Sequence, residues 1–229
     1  MSGATDIFDT EAEHYDAWFD TPDGRILFQN ELAAIRLLWH NAFHPALEVG
    51  VGTGRFAAAL GIVHGVDPAP GALRRAAARG IKVERARGEA LPFSNSRFGG
   101  VLMIATLCFA SDPAALFREA ARALRPGGRL LVGDIPADSP WGELCLRKKS
   151  EGHRFYRNAQ FFTVCELEGM LAREGFVVDA CTSTLLKPPT EPPVAESPRH
   201  GLHVGAGFVC VMIRHAGAPR DGHSPASGS

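Results

Sequence analysis

The sequence predicts an α/β protein: a doubly wound, mostly parallel sheet covered by helices on both faces and ending in an antiparallel strand pair. Three observations predict it. Between Ala46 and Ile135, short apolar runs alternate with helical patterns. A glycine-rich turn, GVGTG at residues 50–54, follows the first of these runs. The last two apolar runs have no helical pattern between them, which makes them most simply antiparallel neighbours.

The elements follow in order. Thr10 and Glu13 have capping-box spacing and predict a helix through EAEHYDAWF. TPDG, 21–24, is turn chemistry. A second helix then places Phe28, Leu32, Ile35, Leu38 and Trp39 on one face. ALEVG is the first strand, and a helix opens over 54–60. IVHGVD, 62–67, is a strand, 69–79 a helix ending near Gly80, and IKVERA, 81–86, a strand. GVLMIAT, 100–106, has little polar alternation and reads as a buried strand. Asp112 and Pro113 stand in N-cap and first-turn order for a helix with Leu116, Ala120, Ala123 and Leu124 on its stripe. RPGG, 125–128, stops that helix before the strand RLLVGDI. Residues 136–162 have no clear period and read as an insertion over the C-terminal edge of the sheet. Thr163 and Glu166 form a second capping box, for a helix to about Glu174 closed by Gly175. FVVDACTSTLL and AGFVCVMIRH are strands joined by a Pro-rich connection, 187–204, and the tail 216–229 is expected to be disordered.

Composition excludes several classes. At 229 residues and 45% hydrophobic, the chain suffices for one domain with a sizeable core. A formal charge of −1 gives no electrostatic reason to expect nucleic acid or an acidic membrane as partner. No run approaches bilayer-spanning length, and the polar, acidic start lacks an apolar signal core, so a cytoplasmic location is expected. Cys108, Cys145, Cys165, Cys181 and Cys210 are scattered without a CxxC pair, which supports neither a disulfide framework nor a zinc site.

In a doubly wound sheet, ligands bind at the C-terminal ends of the strands. The glycine loop there is not a P-loop, since GxxxxGK[ST] is absent. Started at Gly52, GxGxx[GA] is satisfied by Ala57, so the loop alone leaves a nicotinamide dinucleotide open. The preceding helices and the antiparallel strand pair count against it.

The surroundings are more specific. Glu48 makes the loop ExGxGxG, Val66-Asp67-Pro68 ends the second strand, GEALPF occupies 88–93, and LRPGGRLLVGD occupies 124–134. In this order and spacing the chain resembles a class I S-adenosylmethionine-dependent methyltransferase, of the type 11-like branch containing many small-molecule enzymes. The resemblance is strong over residues 44–135. It implies a Rossmann-like, seven-stranded sheet, an N-terminal helical lid over 1–43, a methyltransferase domain over 44–215 with the 136–162 insertion above the site, and S-adenosylmethionine as cofactor. It further implies that Gly50, Gly52 and Gly54, with Glu48 and Thr53 beside them, meet the methionine part. Asp67 would take the ribose hydroxyls, Pro68 would lie against adenine, Gly88 and Glu89 would meet the adenine edge, and Ala105, Thr106 and Leu107 would line the methyl end. The position before the glycine–glutamate pair is often polar in relatives, whereas here it is Arg87.

Two segments are expected to close the site. HYDAWF offers Tyr15 for cofactor contact, with ordinary aromatic packing as the alternative. EGHRFYRNAQFF offers His153 as general base beside Arg154, Tyr156 and Arg157, with a solvated insertion as the alternative. The stretch after the fourth strand, TLCFASDP, lacks the [ND]PP[YF] of amino-methylating enzymes acting on adenine or glutamine, and no Pro-Cys pair supplies a cytosine-methylating nucleophile. The reading is therefore methyl transfer to a small-molecule acceptor, without a metal. An NAD(P)-dependent oxidoreductase and a non-catalytic cofactor-binding protein stay open as alternatives, as does the oligomeric state.

Overall fold

A computed structural model describes residues 3–216. Three helices come first: α1 (Gly3–Thr10), α2 (Ala12–Trp18) and α3 (Pro22–Arg36). The core alternates β1 (Ala46–Val49), α4 (Arg55–Leu60), β2 (His64–Asp67), α5 (Pro70–Ala78), β3 (Lys82–Arg85), β4 (Phe98–Ile104), α6 (Pro113–Ala123) and β5 (Leu124–Asp134). Then follow α7 (Pro140–Ser150), α8 (Val164–Arg173), β6 (Phe176–Thr184), the two-residue β7 (Arg199–His200) and β8 (Phe208–His215).

The strand order is β3-β2-β1-β4-β5-β8-β6-β7. The first five strands are parallel, β8 runs antiparallel to β5, and β6 and β7 continue antiparallel. The sheet thus has eight strands rather than seven. The extra one is β7, a short edge pairing of Arg199 and His200 with Ser183 and Thr182 inside the Pro-rich connection. So short a strand leaves no periodic signal in sequence.

The alternation of side chains along the strands builds two cores. Leu47, Val49, Val101, Met103, Leu130, Val132, Val211 and Ile213 face α6 and α8. Ala46, Leu102, Ile104, Leu131, Cys210 and Met212 face the α3–α5 side, where Leu27, Ala34, Ile35, Ala57, Leu73 and Ala76 close the layer. The reversal of strand order between β1 and β4 places the C-terminal ends of both beside one crevice.

Several local expectations change. Thr10 is the last residue of α1, and Glu11 takes the N-cap position of α2 without a side-chain cap bond, so the first capping box does not form. TPDG is a helix start: Thr21 Oγ1 accepts from Gly24 N–H at 3.0 Å, with Pro22 in the first turn. RPGG lies within β5; Gly127 takes φ +79 and a register shift falls between Phe98 and Gly100 on the paired strand. The region 136–162 contains α7, capped by Ser139 Oγ, which accepts from Gly142 N–H at 3.0 Å. Its Glu-Leu-Cys-Leu-Arg-Lys-Lys run has few buried residues, which hid the helical period. The capping box of α8 is present as expected, with Thr163 and Glu166 bonded reciprocally. Of the tail 216–229, all but Ala216 lies outside the described residues.

Candidate active site

At the C-terminal ends of β1, β2, β4 and β5 lies one cavity of about 600 Å³, within the range that encloses small ligands. The glycine loop forms one wall. Gly50 has φ +71, and a Cβ there would stand 2.3 Å from Thr106 Oγ1, so no other residue fits without displacing Thr106. Thr106 is fixed in turn, its hydroxyl 3.0 Å from the carbonyl oxygens of Val49 and Ile104.

Asp67 ends β2 and braces the loop: Oδ2 accepts from Gly52 N–H at 3.0 Å and Oδ1 from Ala69 N–H at 2.8 Å. Burial raises its pKa while these two donors oppose the rise. Each carboxylate oxygen keeps acceptor capacity toward the cavity. Glu48 is 2% exposed. It receives Ala57 N–H, but its Oε2 has no partner. Burial, with the charge of Asp67 added, drives its pKa well above the carboxylate range.

Tyr15, Thr53, Pro68, Gly88, Glu89, Ala105 and His153 also line the cavity. Two expected residues do not. Gly54 is the N-cap of α4, packed where a Cβ would meet Ala76 at 3.0 Å. Leu107 points into the α6 core and is 1% exposed. Both belong to segments that touch the site, but their positions face the protein. Glu89 is engaged by Arg87, Ser111 N–H and Ser111 Oγ at 2.8–3.2 Å. Burial opposes ionisation there, yet these donors bring its pKa down to about 2. Arg87 is therefore the counter-ion of Glu89. His153 stacks on Tyr156 with ring centroids 4.9 Å apart, and burial with the charges of Lys148 and Arg154 lowers its pKa. Its Nδ1 is buried without a partner. Cys108 lines the cavity as a buried thiol whose pKa burial raises, so it is a poor nucleophile.

Three acidic residues were missed in the sequence. Asp16 is 5% exposed and ties α2 to the glycine loop. It accepts from Thr53 Oγ1 and Arg55 Nε at 2.7 Å and from Arg79 Nη2 at 2.8 Å. Glu31 on α3 and Asp134 at the end of β5 both line the cavity. Burial raises Glu31 to about 8, helped by the charge of Asp134, and raises Asp134 to about 7 against the Ile135 N–H. The motif LLVGD contains Asp134, but only the geometry shows that its carboxylate faces the cavity. Glu31 carries no sequence signal beyond one acid on an apolar helix.

A glycine loop braced by an acid at the end of the second strand, at the switch point of this sheet, defines a nucleotide-cofactor site. A model of the methyltransferase domain matches residues 47–132. An uncharacterised protein of Mycobacterium tuberculosis is 46% identical over 215 residues, covering 93% of this chain and 75% of that one. A crystal structure from Thermotoga maritima, described as an S-adenosylmethionine-dependent methyltransferase and possible histamine N-methyltransferase, matches with TM-score 0.84 and 35% identity. The match covers 91% of this chain and 98% of that one. An O-methyltransferase of Pyrenophora dematioidea is 25% identical, covering 91% of this chain and 83% of that one. The chain belongs to the class I S-adenosylmethionine-dependent methyltransferases, in the type 11 branch. Its cofactor is S-adenosylmethionine, and nothing in these matches points to a nicotinamide cofactor. Among the described residues no helix is long and apolar enough to cross a membrane.

Proposed function

We propose that the protein methylates a small-molecule acceptor within the 600 Å³ cavity. The observation that carries this reading is the wall of that cavity. The glycine loop forms one side, and rings of Tyr15, Phe155, Tyr156 and Phe161 form the other. Such a recess suits a ligand far smaller than a folded protein or a duplex. The near-neutral charge of the chain supports the same choice. Five free cysteines support a reducing compartment, the cytoplasm.

The residues present fit the cofactor. Asp67 keeps acceptor capacity for the ribose hydroxyls, and the orphaned Oε2 of Glu48 suits the α-ammonium of the methionine part. The loop backbone of Gly50 and Gly52 and the side chain of Thr53 flank that part. Pro68, Gly88, the Glu89 backbone, Ala105 and Thr106 line the remainder, and Tyr15 covers it from α2. When bound, the cofactor supplies a methyl group on a sulfonium for in-line displacement. The chain's own contribution is to orient the acceptor and to exclude water. Its ring clusters do the second: Phe8 lies 5.1–5.5 Å from Tyr15, Phe109 and Phe155, which joins α1 and α2 to the 136–162 segment above the site. We assign that assembly the role of a lid. We assign His153, which lines the cavity and whose pKa burial and the charges of Lys148 and Arg154 lower, as the general base of this reading.

Methyl-labelled cofactor incubated with the protein and fractionated extracts tests the proposal. Label is expected in the low-molecular-weight fraction. Label only in protein or nucleic acid overturns the reading.

A further inference from the structure

Two cavity carboxyl groups without a cationic partner among the described residues, Glu31 and Asp134, point to the chemistry of the acceptor. Most other acids with buried or half-buried side chains are matched with arginine: Asp16 with Arg55 and Arg79, Glu89 on the cavity wall with Arg87, Glu119 with Arg122, and Asp179 with Arg129 and Arg214. Asp9 and Glu196 instead take backbone N–H groups. Glu31 and Asp134 break this pattern. Among the described residues neither is paired with a cation, and the one hydrogen bond either receives is Ile135 N–H on Asp134 Oδ1, at 2.8 Å. Lys148, which also lines the cavity, sits over the Tyr156 ring at 5.8 Å. Its charge acts on His153 and Cys145, not on the two acids. Of the other lining acids, Glu89 has Arg87, whereas Glu48 and Asp67 also lack a cationic partner, and Glu48 Oε2 has no partner of any kind. The methyl donor brings a sulfonium, an ammonium and a carboxylate, a net charge of only +1. These four carboxyl groups, Glu31, Asp134, Glu48 and Asp67, cannot all ionise beside only Lys148 and that donor in a desolvated, aromatic recess. Burial accordingly holds Glu31, Asp134 and Glu48 toward the protonated form; an entering cation lets Glu31 and Asp134 ionise and pair with it.

Building on the methyltransferase reading above, we propose that the acceptor is an amine, bound as its ammonium by Glu31 and Asp134 and flanked by the rings of Tyr15 and Tyr156. Ring faces favour an ammonium over a neutral or anionic group. Tyr15 bridges the two halves of the site, since the charges of both Glu31 and Asp67 act on its hydroxyl. The raised pKa values of Glu31 and Asp134 give them a second use. The ammonium first gives up a proton to one of the two carboxylates. The freed nitrogen lone pair then forms the N–C bond while the C–S bond breaks with its electron pair moving to sulfur. The carboxylate returns its proton to water. Charge and atoms balance without a further reactant.

Calorimetric titration tests this. S-adenosylhomocysteine is titrated first; its failure to bind overturns the reading of the cavity as a methyltransferase site, separately from the amine. With that ligand bound, 2-phenylethylamine and tryptamine are compared with 2-phenylethanol and tryptophol, which replace the ammonium by a hydroxyl. The amines are expected to bind more tightly by about thirtyfold or more. Alcohols binding as well as the amines overturn the proposal. In Glu31→Gln and Asp134→Asn the amine preference is expected to collapse while S-adenosylhomocysteine affinity is kept. An amine preference that persists in both variants overturns it as well.

Discussion

Replacing Asp16 by Asn tests how α2 is held over the glycine loop. The carboxylate meets four groups from the loop, the start of α4, and α5 with its C-cap: Thr53 Oγ1, Arg55 Nε, Arg79 Nη2 and, at 3.6 Å, Arg75 Nη1. Breaking a buried ion pair costs roughly 3–5 kcal/mol when the partner is stranded. Here the partners keep other acceptors. Arg55 retains both oxygens of Asp20 at 2.8–3.0 Å, and Arg79 retains the Thr53 carbonyl at 2.8 Å. The amide also keeps one acceptor oxygen. The expected loss is therefore about 2 kcal/mol, which for a chain of this length lowers Tm by roughly 4–8 °C. Affinity for S-adenosylhomocysteine should fall with it, because α2 carries Tyr15 over the site. The pH dependence gives a second signature. Burial opposes ionisation of Asp16, but the hydrogen bonds from Arg55, Arg79 and Thr53 outweigh it and lower its pKa from 3.8 to about 2. A depressed carboxylate contributes its stability above the unfolded pKa and loses it as pH falls through the folded one. The wild-type protein should lose this increment between pH 3.8 and about 2, and Asp16→Asn should not. Thermal melts across that range and calorimetry at neutral pH read both effects. A variant with unchanged Tm and unchanged affinity would refute the reasoning.

Gly50→Ala should lower stability by about 2–4 kcal/mol, from a left-handed backbone carrying a Cβ and from the displaced Thr106 hydroxyl. Combining it with Thr106→Ala should recover the steric part, as a double-mutant cycle of melting curves would show; strict additivity contradicts the contact. Thr163→Ala removes the capping box of α8 and should cost about 1 kcal/mol in denaturant melts without altering cofactor affinity. If Asp134 accepts the proton, kcat/KM should fall as pH drops below about 7, and Asp134→Asn should lack that limb. If His153 accepts it, the limb lies below 6.5 and vanishes in His153→Gln instead.

The parallel half of the sheet was legible because β1, β4 and the second half of β5 are apolar runs, and the polar edge strand β3 follows from its place in the strand–helix alternation. One wall of the cavity was legible because Gly50, Gly52 and Asp67, which line it, stand at fixed offsets along one strand–turn–helix and the next strand end. Other features depend on contacts distant in sequence. α7 hid behind an exposed, charged face, and β7 is two residues of edge pairing. Asp16 looks like one more acid in an acidic helix until folding brings Arg55 and Arg79 onto it. Glu31 and Asp134 are about a hundred residues apart in sequence, and neither belongs to a local pattern that announces the other. Leu107 shows the converse: a residue in the right loop whose side chain turns into the core.

The account rests on the carboxylate at the end of β2. Asp67→Ala, titrated with S-adenosylhomocysteine, is its most direct test. Charge-assisted hydrogen bonds contribute about 1.5–3 kcal/mol each, so losing two acceptors for the ribose should weaken binding by roughly a hundredfold or more. Affinity equal to that of the wild-type protein would contradict the placement of the cofactor in this cavity.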